Sequence, residues 1–223
     1  MTSTITEGAQ RVGRRVGNLN IIQKVILMAV VIVVLYFIYI FVFKDNNKKM
    51  LLKDHDAREG KVIPAGDIPP ITVSNYTISI WLFISEWNHN FGLEKNVLSR
   101  YHMDDSDEIQ YKPAPSITLD SHTNDLNVNV SYLDPNSPPQ QTDYKIHKCK
   151  VSGIPLQTWV NVIMTVNNRG LDVYIDGRLT RTCVIPGPPV SGINSDLYIS
   201  HSSKTNNPGF AGRISDLTIF KYV

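Results

Sequence analysis

Two cysteines in 223 residues are too few for a scaffold held mainly by disulfides. They allow one bridge or two separate thiols. Neither has further ligands at the spacing a zinc site needs. The six histidines are scattered, and H-E-x-x-H does not occur. Also missing is the G-x-S-x-G elbow that exposes a nucleophilic serine. A basic excess is lacking too: net charge is only +2, from 22 Lys/Arg and 20 Asp/Glu. The first 62 residues carry 10 basic and 5 acidic residues (+5), leaving 12 and 15 (−3) for the rest. A nucleic-acid stripe would concentrate positive charge on the main body, so that class of partner is excluded. There is no internal repeat or low-complexity tract. No cofactor motif appears.

The most prominent feature present is one long apolar run. Val25 to Phe43, VILMAVVIVVLYFIYIFVF, has 19 residues without a charge, glycine or proline. As a helix it covers roughly 28 Å, near the thickness of a bilayer's hydrocarbon core. It is apolar all round, unlike a core helix with a wet face. It is too long for a signal peptide, and KDNNKK follows it rather than a small-residue cleavage site. We expect a single-pass anchor in the lipid bilayer. Arg11, Arg14, Arg15 and Lys24 precede it, and Lys44, Lys48, Lys49 and Lys53 follow. This near balance gives only a slight preference for a retained N-terminal tail, with the body of the chain on the opposite side. Residues 44–70 are charged and then proline-punctuated, as a stalk would be. The expected organisation is a tail over 1–24, a transmembrane helix over 25–43, a stalk over 44–70 and a folded body over 71–223.

That body reads as strands. YTISIWLFIS places Tyr76, Ile78, Ile80, Leu82 and Ile84 on one face, with Trp81 and Phe83 on the other. Leu126, Val128, Val130 and Tyr132 alternate likewise, as do Val160, Val162, Met164 and Val166. Leu171, Val173 and Ile175 lead into Asp176-Gly177, a two-residue hairpin signal. With no amphipathic helix after the anchor, the spacing predicts an all-β antiparallel sandwich.

Trp159, the Tyr174-Ile175-Asp176-Gly177 hairpin and the Gly212-Arg213-Ile214-Ser215-Asp216-Leu217-Thr218-Ile219 strand resemble the laminin-G/concanavalin-A-like jelly-roll superfamily over roughly Ile71 to Val223. IWLFISEWNHNFG, PSITLDSHTNDLNVNV and the stretch from Cys149 to Gly187 are also similar to membrane-anchored laminin-G-like proteins of large DNA viruses of protists. That resemblance implies a protein of a virion's internal membrane, a minor capsid protein whose partners are coat or capsid subunits.

Several site expectations follow. Cys149 and Cys183 each fall near a strand end. A bridge between them would contribute about 3–4 kcal/mol through the unfolded chain; the alternative is two buried thiols acting as small hydrophobes. Relatives with this fold include β-glucanases, whose carboxylates stand on one strand as E-x-D-x-x-E. None of the glutamates here, at 7, 59, 86, 94 and 108, fits that pattern. Asp104 to Glu108 lacks the spacing and turn glycine of a calcium loop, so it reads as a solvated loop and no metal site is expected. The loop Trp87, Asn88, His89, Asn90, Phe91 offers rings for stacking on sugars and amides for their hydroxyls. The competing reading has Trp87 covering one end of the core. If sugars bind, Trp87→Ala should abolish binding without unfolding the domain. His201 to Phe210 is a second candidate rim. Asn75 and Asn129 head glycosylation sequons inside expected strands. The sequence thus points to a non-catalytic, membrane-anchored binding or structural module. A lectin-like glycan binder is the first alternative and a glycan hydrolase the second.

Overall fold

The computed structural model describes residues 20–43, 48–70, 74–102, 112–138, 143–190, 192 and 194–222. The chain divides into two units, Met1–Asn46 and Asn47–Val223.

The first unit holds α1 (Ile21–Phe43), 23 residues long and long and apolar enough to cross a membrane. It begins four residues before the apolar run because the sequence Asn20-Ile21-Ile22-Gln23 caps it. The Gln23 side chain accepts from the Asn20 backbone N–H at 3.0 Å. Asn20 Oδ1 accepts from Ile21 N–H at 3.1 Å. The Gln23 contact is the backward half of a capping box, which satisfies an amide the helix cannot.

The second unit is a sandwich of two six-stranded sheets. Its strands are β1 (Lys48–Asp56), β2 (Lys61–Ile63), β3 (Asn75–Glu86), β4 (Lys95–His102), β5 (Lys112–Leu119), β6 (Leu126–Leu133), β7 (Tyr144–Val151), β8 (Trp159–Asn167), β9 (Gly170–Ile175), β10 (Arg178–Val184), β11 (Leu197–Ile199) and β12 (Ala211–Phe220). One sheet runs β1-β12-β3-β8-β9-β10 and the other β2-β11-β4-β5-β6-β7. Every pairing is antiparallel. The alternation read from sequence is what the core uses: Tyr76, Ile78, Ile80, Leu82, Ile84, Val160, Val162, Met164 and Val166 are all buried. They face Leu126, Val128, Val130, Ile117 and Leu119 of the other sheet in one core. Trp81 and Trp159 lie on the outer face, where Phe83 and Trp159 pack with ring centroids 5.5 Å apart.

Two motif residues have specific backbone tasks. Asp176 and Gly177 turn β9 into β10 with φ of +49° and +76°, the positive pair a type I′ turn requires. A Cβ on Gly212 would lie 2.0 Å from the Phe83 carbonyl oxygen, so β12 packs beside β3 only with glycine there. Four residues on, Asp216 takes φ of +48° where the β12–β3 register shifts, a bulge that bends the strand.

The stalk expectation for residues 44–70 is corrected. Residues 48–56 and 61–63 are strands, one on the edge of each sheet, and Leu52, Ala57, Ile63 and Ile68 belong to the core. An edge strand buries little, so β1 offers solvent mostly lysine and aspartate and reads like a linker. The anchor's helix is likewise longer than expected, from 21 rather than 25.

Both open sides of the sandwich are closed. On one side the chain itself joins β1 to β2. On the other, a disulfide links Cys149 of β7 to Cys183 of β10, with Cα atoms 6.0 Å apart. These are the two edge strands at the far margins of the sheets.

Candidate functional site

Strands β3 and β4 are joined by the loop containing Trp87–Phe91, and β11 and β12 by the loop containing His201–Phe210. The structure brings these two sequence candidates together. Asn90 Nδ2 donates to the Gly209 carbonyl at 3.1 Å, and the Asn96 N–H donates to the Pro208 carbonyl at 2.7 Å. The β5–β6 turn, Asp120–Asp125, joins them: Gly92 N–H reaches Ser121 O at 3.0 Å, and the Phe91 and His122 rings meet edge to face at 5.3 Å. The β7–β8 loop completes the rim, since Gly153 N–H donates to Asp125 Oδ1 at 3.0 Å. Four loops therefore share one end of the sandwich. Sequence reasoning did not single out Asp120–Asp125 or Ser152–Pro155 for this role. Their turn chemistry was visible, but only the sheet order sets them beside the Trp87 loop.

Trp87 itself packs against the core. Its ring covers the ammonium of Lys95 at 4.6 Å, and Lys95 is only 1% exposed. Neither Lys95 Nζ nor Trp87 Nε1 has a hydrogen-bond partner. Burial holds the Lys95 amine below the usual lysine range, against an opposing pull from the Asp120 carboxylate. The ring's π face is what stabilises the cation here. The side chains offered outward are instead Phe91 and Leu93, 56% and 54% exposed, with Asn88 and His122 beside them.

Charges flank this apolar ridge in fixed pairs. Lys150 Nζ lies 2.7 Å from Asp125 Oδ2 and 3.7 Å from Asp120 Oδ2. The bond from Lys150, then that from the Thr123 hydroxyl, pulls the Asp125 carboxyl down to about 2. The His122 backbone N–H is the largest of several bonds lowering Asp120. Glu94 accepts from Thr118 Oγ1 at 2.7 Å and faces Lys148 at 3.8 Å. A glycosidase acid needs a carboxyl held protonated near neutrality; Asp120 and Asp125 are displaced in the opposite direction.

Beyond the rim, a cavity of about 470 Å³ opens at the same end. Ser152, Gly153, Ile154, Ile175, Asp176 and Arg178 contribute to its walls. It was not legible in sequence, because its walls come from loops and strands of both sheets. No group of three or more His, Cys, Asp or Glu able to hold a metal occurs among the described residues. Asn129, half-buried, donates its Nδ2 to Ser116 Oγ at 3.2 Å, and Asn75 begins β3. The run Asp104 to Glu108 lies outside the described residues.

These observations define a jelly-roll sandwich with a loop-built rim at one end. The chain belongs to the concanavalin A-like lectin/glucanase superfamily, which matches residues 58–223. No curated protein matches it. Among solved structures, it is similar to the receptor-binding domain of botulinum neurotoxin D (14% identity, TM-score 0.51, 79% of this chain and 43% of that one). It is also similar to the binding domain of botulinum neurotoxin DC in complex with rat synaptotagmin II (18%, 0.50, 73% and 37%). A third is the serotype D ligand-binding domain in complex with N-acetylneuraminic acid (14%, 0.50, 79% and 41%). The chain spans less than half the length of these structures, and the likeness is one of fold.

Proposed function

We propose that this protein is a membrane-anchored, non-catalytic recognition module, with α1 held in a bilayer and the four-loop rim binding a partner. The observation that carries this reading is where the rim lies. Lys48, the start of β1, stands level with Phe220 and Thr77 in the sheet, near the start of β3. The Trp87 loop follows the other end of that 12-residue strand, about 33 Å from Thr77 at the usual strand rise. Within the sandwich, the rim therefore lies at the end opposite the first residue of β1. The exposed Phe91–Leu93 ridge is the form a protein contact takes: apolar at its centre, with paired charges around it.

On this reading the protein sits in the internal membrane of a virion and holds coat subunits to it, with the sandwich on the side opposite the N-terminal tail. A disulfide across the sandwich margin suits an oxidising compartment. The test is extraction of the intact protein in mild detergent and identification of what accompanies it. Coat proteins should co-purify, and Phe91→Ser with Leu93→Ser should release them. A protein that emerges alone yet retains a defined oligosaccharide would replace this reading with a lectin. Exposed rings at the rim and on the outer sheet face (Trp81 38%, Trp159 41% exposed), able to stack on sugars, favour that second reading.

A further inference from the structure

The rim is not the one surface with unusual chemistry. Charge segregates along the edge strand β1: Lys48, Lys49 and Lys53 come first, then Asp54 and Asp56. The acidic half is partly engaged within the sandwich, where Arg213 Nε donates to Asp54 at 3.2 Å. The basic half borders a groove of about 270 Å³ between β1 and β2, lined by Lys49, Met50, Lys61, Val62 and Asp67 among others. Lys49 Nζ donates to the Asp67 carbonyl. Met50 and Val62 stand 55% and 51% exposed beside these lysines. Because Lys48 pairs with Phe220, Lys221 and the exposed Tyr222 leave the sheet at the same end.

Ammonium groups interleaved with exposed apolar side chains and a tyrosine match the chemistry of a bilayer's headgroup layer. The short connection keeps this surface within reach of that layer. Four residues, 44–47, separate α1 from β1, and a segment from Phe43 to Lys48 reaches no more than about 18 Å. We infer that the Lys48–Lys49–Met50 edge with Lys61 and Val62 docks on the phosphates of the bilayer that holds α1, most strongly where lipids are anionic. The inference rests on the membrane-anchored reading. Lysines also protect edge strands from pairing with other chains. That role accepts charge of either sign, whereas phosphate binding accepts only positive charge.

The full chain is reconstituted into vesicles of phosphatidylcholine alone, or with about one-third phosphatidylserine. A fluorophore is attached at Val62→Cys or, as control, at Leu179→Cys on the opposite edge, and quenching by headgroup-linked nitroxide is recorded alongside vesicle flotation. The Val62 probe should be quenched well beyond the Leu179 probe, and more with phosphatidylserine. Lys48→Glu, Lys49→Glu and Lys61→Glu together should remove the difference, at about fivefold in partitioning per lysine, while flotation is unchanged. Equal quenching at the two positions, or quenching indifferent to the lysines, overturns the docking while flotation still supports the anchor. Quenching replaced by concentration-dependent association assigns the edge to a second copy of the chain and likewise overturns it. Loss of flotation in the unmodified chain removes both the anchor and the docking.

Discussion

Trp87→Ala tests how the rim is built. In the sequence, Trp87 stands in a loop where a sugar-stacking ring would be expected to be dispensable for folding. In the structure its ring caps the core and covers the Lys95 ammonium at 4.6 Å. Truncating a fully buried tryptophan costs about 3–5 kcal/mol; Trp87 is only partly buried, which brings the packing loss to about 2–3 kcal/mol. Removing the ring from a desolvated cation adds about 1 kcal/mol, for a total of about 3–4 kcal/mol. Urea unfolding followed by circular dichroism should show the midpoint falling with the slope unchanged. Phe91→Ala, at an exposed position on the same loop, should shift stability by less than about 0.5 kcal/mol. A double-mutant cycle with Lys95→Met should return a coupling of at least about 0.5 kcal/mol. A Trp87→Ala protein within about 1 kcal/mol of the parent, uncoupled from Lys95, would refute the capping argument and restore Trp87 as a ring free for ligand. Phe91, not Trp87, is accordingly the position at which loss of binding can be separated from loss of fold.

Three other outcomes are expected. Replacing both Cys149 and Cys183 with alanine should cost about 4 kcal/mol, from a 34-residue separation in the chain-entropy relation; calorimetry checks it, and hydrogen exchange should rise first in the edge strands β7 and β10. Gly212→Ala should destabilise by more than about 2 kcal/mol, because the added carbon meets the Phe83 carbonyl, while Gly66→Ala, with open space around it, serves as a control in the same melts. Asp125 has a folded pKa of about 2 against an ordinary 3.8. It therefore favours folding above 3.8, and that contribution is lost as pH falls toward 2. Asp125→Asn should flatten the acid limb of a stability–pH profile over that interval.

How much of this was legible beforehand differs by element. Strands β3, β6, β8 and β9 bury alternate large residues, so their period and inward faces could be read directly. β1 could not: with Leu52 its one fully buried residue, its identity depends on the partner β12 and not on its own pattern. The start of α1 was encoded in Asn20 and Gln23, a cap that the longer apolar run obscured. For the site, the two loops richest in aromatic and amide side chains were visible, but their meeting through Asn90 and Gly209 was not. Nor could composition show which ring of the first loop faces water. That depended on Lys95, a lysine whose position in a polar-looking stretch gave no sign that it would be enclosed beneath Trp87.

The central claim is that a bilayer-embedded helix tethers a sandwich that works through its surfaces. It is tested most directly by photolabelling native membranes with a carbene precursor carried on a lipid tail, after an alkaline wash. The account predicts that the chain stays with the lipid and that adducts fall within residues 25–43. A washed-off chain with residues 25–43 unlabelled and protected from exchange inside a globular body would contradict it.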